Sequence, residues 1–241
     1  MAYLMYGGEK IEYQIVKSSR KTISIRVSQD GVCVHAPKNL SNARIAKLIE
    51  TKAGWIKKKQ EEIKAIKQNS QISECVDGAM YLYRGNEIKL RLIVREYAEQ
   101  DKQLAKVTLV NNELIVEVGT ISQDVIRQVM EKWYRNEAKK RIKERVEYYL
   151  NHYDFKKKVN RIVIKDQKSR WGSCSSKCNL NFNYRLIMAP DDVLDYVVIH
   201  ELCHLLYMNH SSDFWNEVRR IRPNFEREKE WLHKNGAMLQ I

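Results

Sequence analysis

His200-Glu201-Leu202-Cys203-His204, followed by His210, brings three imidazoles and a carboxylate into one short stretch of this 241-residue chain. Residues four apart on an α-helix share a face, so His200 and His204 can aim at a single metal ion. Glu201 lies one residue on, about 100° around the helix, beside that ion, where it could take a proton from a bound water. With His210 as third ligand, a tetrahedral ion keeps its fourth position open for water and substrate, whereas a structural zinc site is closed by four protein ligands. The chemistry this spacing implies is metal-assisted hydrolysis. Glu217 is the alternative third ligand, although an ion pair with nearby Arg220 explains it equally simply.

A helix must carry this string. Pro190 disfavours helix in the residue before it, and Asp191 and Asp192 supply a cap and negative charge at the positive end of the dipole. Val193, Leu194, Val197, Val198, Ile199, Leu202, Leu205 and Leu206 make the segment apolar on more than one side, as in a helix inside a core. Two histidines and a glutamate there must be hydrogen-bonded, paired or metal-bound, because an unsatisfied buried polar group costs about 1–3 kcal/mol. The pattern predicts a helix end near Met208 and Asn209, since Asn tolerates the left-handed conformation that closes helices. His210 then follows a reversal. Ser211 or Ser212 can cap a further helix carrying Phe214, Trp215, Val218 and Ile221, limited by Pro223.

Upstream, alternation predicts strands at residues 12–16, 22–27 and 32–35, with Asp30-Gly31 as a hairpin turn. A helix from Ser41 carries Ile45, Leu48, Ile49, Ile56 and Ile63 at helical spacing, and residues 67–78 read as a loop. Strands follow at 81–83, 88–94, 107–110 and 114–118, with Gly85-Asn86 and Asn111-Asn112 as turns. A long helix from Ser122 to Leu150 carries a Glu137/Arg141 pair four residues apart. Next come a strand at 161–165, a loop through Arg170-Trp171-Gly172-Ser173 and a strand at 180–188 leading into the metal helix. Gly172 reads as an ordinary turn glycine, with close backbone approach as the alternative. A strand, turn, strand and Trp-bearing helix occur twice, ending at Trp55 and at Trp133, but two irregularly spaced instances fall short of a repeat architecture.

Four motifs occur in order: Lys168-Ser-Arg-Trp-Gly-Ser-Cys174, Asn179-Leu-Asn-Phe-Asn-Tyr-Arg-Leu186, Asp195-Tyr-Val-Val-Ile-His-Glu-Leu-Cys-His204 and Asn209-His-Ser-Ser-Asp-Phe-Trp215. Over roughly residues 159–234 they resemble the YgjP-like metallopeptidase family, related to the SprT and WLM zincin-like proteins. The resemblance implies an α+β fold: a zincin-like metallopeptidase domain, placed at 120–241, preceded by an N-terminal β-rich region with one long helix, at 1–119. It further implies Zn²⁺ held by His200, His204 and His210, Glu201 as general base, a peptide or protein substrate, and a strand beside the active helix that pairs with extended peptide. The sequence departs from the metzincin branch: Tyr207 stands where that pattern has Gly, so the turn must be made differently, and Met238 sits in no Met-turn motif. Tyr207, Tyr184 and Arg170 are candidate oxyanion stabilisers by chemistry alone, each with a structural explanation at hand.

Five cysteines without an evident secretory signal fit a reducing, cytoplasmic location. No apolar run of about 18 residues is available to span a membrane. Cys174 and Cys178 form a CxxxC pair, but the remaining cysteines lack matching metal-site spacing, and Cys203 reads as a packed side chain. The formal net charge is +13. Lys156, Lys157, Lys158, Arg161, Lys165, Lys168 and Arg170 precede the site, and Arg219, Arg220 and Arg222 follow it. A solvated face is the simplest account; the alternatives are nucleic-acid binding, or hydrolysis of a nucleotide or other anionic phosphate in place of a peptide.

Overall fold

A computed structural model describes residues 2–28, 31–69, 74–95, 105–167 and 169–241 of the chain. Its elements make a mixed α+β fold in two compact units, Met1–Gln71 and Ile72–Ile241. The expected boundary at 119/120 falls inside the second unit, because the strands before it share a core with the helices after it.

In the first unit, β1 (Ala2–Tyr6), β2 (Glu9–Ser18), β3 (Ser24–Ser28) and β4 (Gly31–Pro37) form a sheet in the order β1-β2-β4-β3, with β2 and β4 parallel. Strand alternation puts Ile11, Tyr13, Val32, Val34 and Ala36 on one face. That face is covered by Ile45 and Ile49 of α1 (Asn42–Thr51) and by Ala53 and Ile56 of α2 (Ala53–Asn69). Ser41 caps α1 by accepting from the Arg44 amide. The single helix expected from Ser41 breaks at Lys52, whose amide is shared among the carbonyls of Leu48, Ile49 and Glu50. Strand β1 was not expected. Asp30 and residues 70–73 of the expected loop lie outside the described residues.

The second unit opens with β5 (Met80–Tyr83), β6 (Asn86–Val94), β7 (Ala105–Val110) and β8 (Glu113–Val118), ordered β5-β6-β8-β7 with β6 and β8 parallel. This is the topology of the first sheet again, and the registers coincide. Leu4 faces Ile11 as Tyr81 faces Ile88; Tyr13 faces Val32 as Leu90 faces Leu114; Ile25 faces Val34 as Val107 faces Val116. The helix that follows is α3 (Gln123–His152), with Ser122 at its N-cap, and Ile126 and Met130 are buried at the offsets of Ile45 and Ile49 after Ser41. The echo around Trp55 and Trp133 is therefore a duplicated sheet–helix module. It is faint in sequence because burial fixes only apolar character at matching positions, not residue identity.

The second copy carries the rest of the unit. Strands β9 (Arg161–Lys165), β10 (Gly172–Cys174) and β11 (Asn179–Asn183) pair in the order β10-β11-β9. The strand expected over 180–188 stops at Asn183, whose side chain accepts from the Arg185 amide and starts a 3₁₀ turn, Tyr184–Met188. Helix α4 (Asp191–Cys203) follows, then α5 (Ser212–Ile221) and α6 (Phe225–Asn235).

Helix α4 is buried on nearly every side, so polar anchors fix its rotation. Arg145 of α3 grips Asp195 through two hydrogen bonds of 2.6 and 2.7 Å, and the Tyr149 hydroxyl donates to the same carboxylate at 3.0 Å. One turn earlier on each helix, Arg141 grips Asp191, shared with Arg84. Arg141 therefore does not pair with Glu137, which instead meets Lys140 and the Tyr83 hydroxyl. Pro190, not an aspartate, is the N-cap residue. The β5–β6 turn completes the anchorage: Arg84 and Gly85 donate backbone amides to Ile187 and Met188 carbonyls at 2.8 and 3.0 Å. A Cβ on Gly85 would come within 2.9 Å of Pro190. Breaking the buried Arg145–Asp195 pair by Asp195→Ala is expected to cost about 3–5 kcal/mol. Urea unfolding of the two proteins measures this, and a loss under about 1 kcal/mol would show that the pair does not anchor α4.

Candidate metal centre

His200 and His204 stand one turn apart at the end of α4, with His204 as C-cap residue in helical conformation. The helix ends about a turn earlier than Met208 and Asn209, and no left-handed residue closes it. Instead the chain tightens: Leu205 and Leu206 donate to Leu202 and Cys203 three residues back, and the His204 ring meets the Tyr207 carbonyl at 2.9 Å through Nδ1. This is how the turn is made without a glycine. His210 follows, just before Ser211, whose hydroxyl accepts from the Phe214 amide to cap α5.

The three histidines converge, with ligand atoms all within 4.8 Å of one another. The Nε2 atoms of His200 and His210 are 3.0 Å apart. With Nδ1–H of His204 donated to the Tyr207 carbonyl, its Nε2 keeps a lone pair for an ion, a tautomer assigned from the hydrogen bond. Two aromatic rings hold this arrangement. Phe214 stacks on His204 with centroids 4.6 Å apart, and Trp215 stacks on His210 at 5.6 Å. Burial, then the neighbouring imidazoles, lower the His200 pKa to about 3, and burial with His204 also lowers that of His210. Both rings are thus held in the neutral form that binds metal. Three neutral imidazoles in one pocket fit a divalent cation.

Glu201 is buried at 4% exposure, and its Oε2 has no hydrogen-bond partner. Burial pushes its carboxyl up to about 8 against the pull of Arg170 and of the Cys174 amide; a divalent cation alongside would favour the ionised form. The glycine at 172 makes room for it. A Cβ there would lie 2.5 Å from Glu201 Oε1 and 2.6 Å from Cγ, so close approach, not an ordinary turn, explains Gly172.

Strand β10 is an edge strand against α4. Asn183 donates to Trp171, and Ser175 to Asn179, so residues 171, 173 and 175 face β11 while the backbone groups of Gly172 and Cys174 point away from it.

The other candidates fall outside this cluster. Glu217 pairs with Arg220 at 2.7 Å. Tyr184 is buried beneath the guanidinium groups of Arg135 and Arg185. Tyr207 contributes its carbonyl to His204, while Arg170 acts on Glu201 through its charge. Cys203 is buried, and among the described residues the cysteines join no metal-binding group. Met238 is half exposed in a short 3₁₀ turn. Arg219, Arg220 and Arg222 are paired with Glu226, Glu217 and the Asp192/Glu228 pair, which neutralises the basic run after the site. Lys168 lies outside the described residues. For Gly172 the alternative reading, close approach, is the one that holds; the roles of Phe214 and Trp215 were missed, and their only signal was proximity in sequence to the motif.

Over residues 21–235 the sequence matches the description "YgjP-like, metallopeptidase domain". The chain belongs to the YgjP-like family. As a YgjP-like metallopeptidase it is a hydrolase of peptide bonds that requires a divalent metal. Two solved structures are similar to parts of it. The metallopeptidase zymogen of Methanocaldococcus jannaschii jannalysin is 26% identical with a TM-score of 0.35, covering 39% of this chain and 95% of that one. The zymogen of Pyrococcus abyssi abylysin is 25% identical with a TM-score of 0.32, covering 37% and 86%. No curated protein matches the sequence. Among the described residues no helix is long and apolar enough to cross a membrane.

Gly172→Ala is expected to displace the Glu201 carboxylate and lower kcat by about a hundredfold, while metal content stays at the wild-type level. An unchanged kcat would mean that Glu201 has room to spare.

Proposed function

We propose that this metallopeptidase is zinc-dependent, with His200, His204 and His210 as the ligands and Glu201 as the general base. The observation that carries the reading is the convergence of three imidazoles within 4.8 Å beside a buried carboxylate with one unbonded oxygen. Zinc held by these three imidazoles would supply Lewis acidity to the scissile carbonyl and would acidify the attacking water. Glu201 accepts a proton from the attacking water and passes it to the departing amine nitrogen. The Cys174 amide and the space over Gly172 keep that carboxylate oriented. Strand β10 is the strand we assign to the substrate, since it is an edge strand beside α4 whose Gly172 backbone groups and Cys174 carbonyl face away from β11 and suit pairing with an extended peptide. The five cysteines are all free thiols, in keeping with a reducing, cytoplasmic setting.

Metal analysis of the purified protein should find about one zinc per chain in the wild type and little in His204→Ala or His210→Ala. Retention of wild-type zinc by both variants would exclude the assigned ligand set. Glu201→Gln should keep its zinc and lose about 10²–10⁴-fold in turnover of a peptide panel; full activity in that variant would remove the mechanism. Hydrolysis confined to phosphate esters or pyrophosphates would replace the peptide substrate.

A further inference from the structure

The duplicated module uses one of its surfaces differently in its two copies. In the second copy the β5–β6 turn has both central residues in the left-handed region, Arg84 at φ 51° and Gly85 at 78°. Its two amides donate to Ile187 and Met188 carbonyls, Pro190 packs on Gly85, and Arg84 joins Arg141 on Asp191. This turn face therefore holds a short chain segment: two successive carbonyls, apolar side chains, a proline and an acid.

In the first copy Gly7 and Gly8 repeat the turn, with φ of 58° and 81°, and Tyr6 pairs with Glu9 as Tyr83 pairs with Asn86. Where Pro190 comes within 2.9 Å of a Cβ on Gly85, nothing lies within 4 Å of a Cβ on Gly8. Met5 and Tyr6 are 58% and 43% exposed, whereas Leu82 and Tyr83 at the same positions are partly buried. Trp55 is 44% exposed and follows Gly54, where a Cβ would lie 3.0 Å from the Tyr6 hydroxyl. Lys57 reaches the turn, its Nζ 3.8 Å from a Cβ on Gly7, and it pairs with Glu9 at 3.3 Å, so an incoming acid would compete with Glu9 for this cation. Residues 1–71 carry fourteen Lys and Arg against six Asp and Glu.

We propose that the Gly7-Gly8 turn face of the N-terminal unit, with Met5, Tyr6, Trp55 and Lys57, docks an acidic, apolar polypeptide segment of a partner protein. The turn amides meet successive carbonyls of that segment, Met5, Tyr6 and Trp55 cover its apolar side chains, and Lys57 meets its acid. Charge alone would suit nucleic acid as well. The second copy favours polypeptide, because the same turn there binds peptide carbonyls.

The test uses the full chain and a fluorescein-labelled peptide that spells residues 185–194, the segment seated on the second copy. Fluorescence anisotropy should show saturable binding that weakens at least tenfold in Met5→Glu, in Trp55→Glu and in Lys57→Glu. A peptide with both aspartates replaced by asparagine should bind more weakly. His204→Ala should bind the peptide as the wild type does, which separates docking from the metal site. Circular dichroism selects the folded variants, and two of the three substitutions fall on exposed side chains. No saturable binding, or unchanged affinity in the folded variants, would overturn the proposal. So would tighter binding of a labelled oligonucleotide that the same substitutions abolish, or a wild-type dimer that they dissociate.

Discussion

The pairing of Arg141 and Arg145 on α3 with Asp191 and Asp195 on α4 sets the geometry of the metal site. A helix with one apolar stripe is oriented by burying it, but α4 is apolar almost all round and could pack in several rotations. Two arginines four residues apart meet two aspartates four residues apart, which leaves one rotation and one register. Given that rotation, His200 and His204 share a face and Glu201 points to its side, toward β10. Asp195 is 6% exposed, so a misrotated helix would leave its charge in the core without a partner, at a cost of several kcal/mol.

Around this anchor the site is built from close approaches. Glu201 is accommodated because position 172 has no side chain, and Pro190 sits on the β5–β6 turn because position 85 has none. His210 comes from a loop, yet α5 holds it: the Ser211 cap fixes the start of that helix, and Trp215 lies against the ring. An exposed imidazole thus gains order from a packed neighbour. The buried His204 gains its order from the Tyr207 carbonyl and from Phe214.

Much of this was legible in the sequence because it follows from periodicity. The strands from β2 to β9 appear where alternation placed them, Ser41, Ser122 and Ser211 are N-cap residues, and the i, i+4 histidines share a face. What was not legible depends on partners far away in the chain. Glu137 and Arg141 have ideal spacing for each other, but Arg141 is taken by Asp191, fifty residues on. The strand expected through Met188 ends at Asn183 because an amide side chain competes for the backbone. The end of α4 was placed by the tolerance of Asn209 for left-handed backbone, whereas 3₁₀ bonds close the turn beforehand. The duplication showed only as an echo too weak to count as a repeat, because its two copies share registers rather than residues.

The β5–β6 hairpin has a consequence for how the enzyme is made. Its turn amides and Arg84 meet Ile187, Met188 and Asp191, about a hundred residues later in the chain, and such non-local contacts form late because the intervening loop must first be closed. During synthesis the sheet and α3 leave the ribosome before the histidine-bearing segment, yet they share one core with it, and a unit folds as a whole. A ribosome-bound chain would therefore hold the seat unfinished until its occupant emerges. Hydrolytic competence would arrive at the last stage of maturation, when α4 docks and the emerging α5 secures the third imidazole.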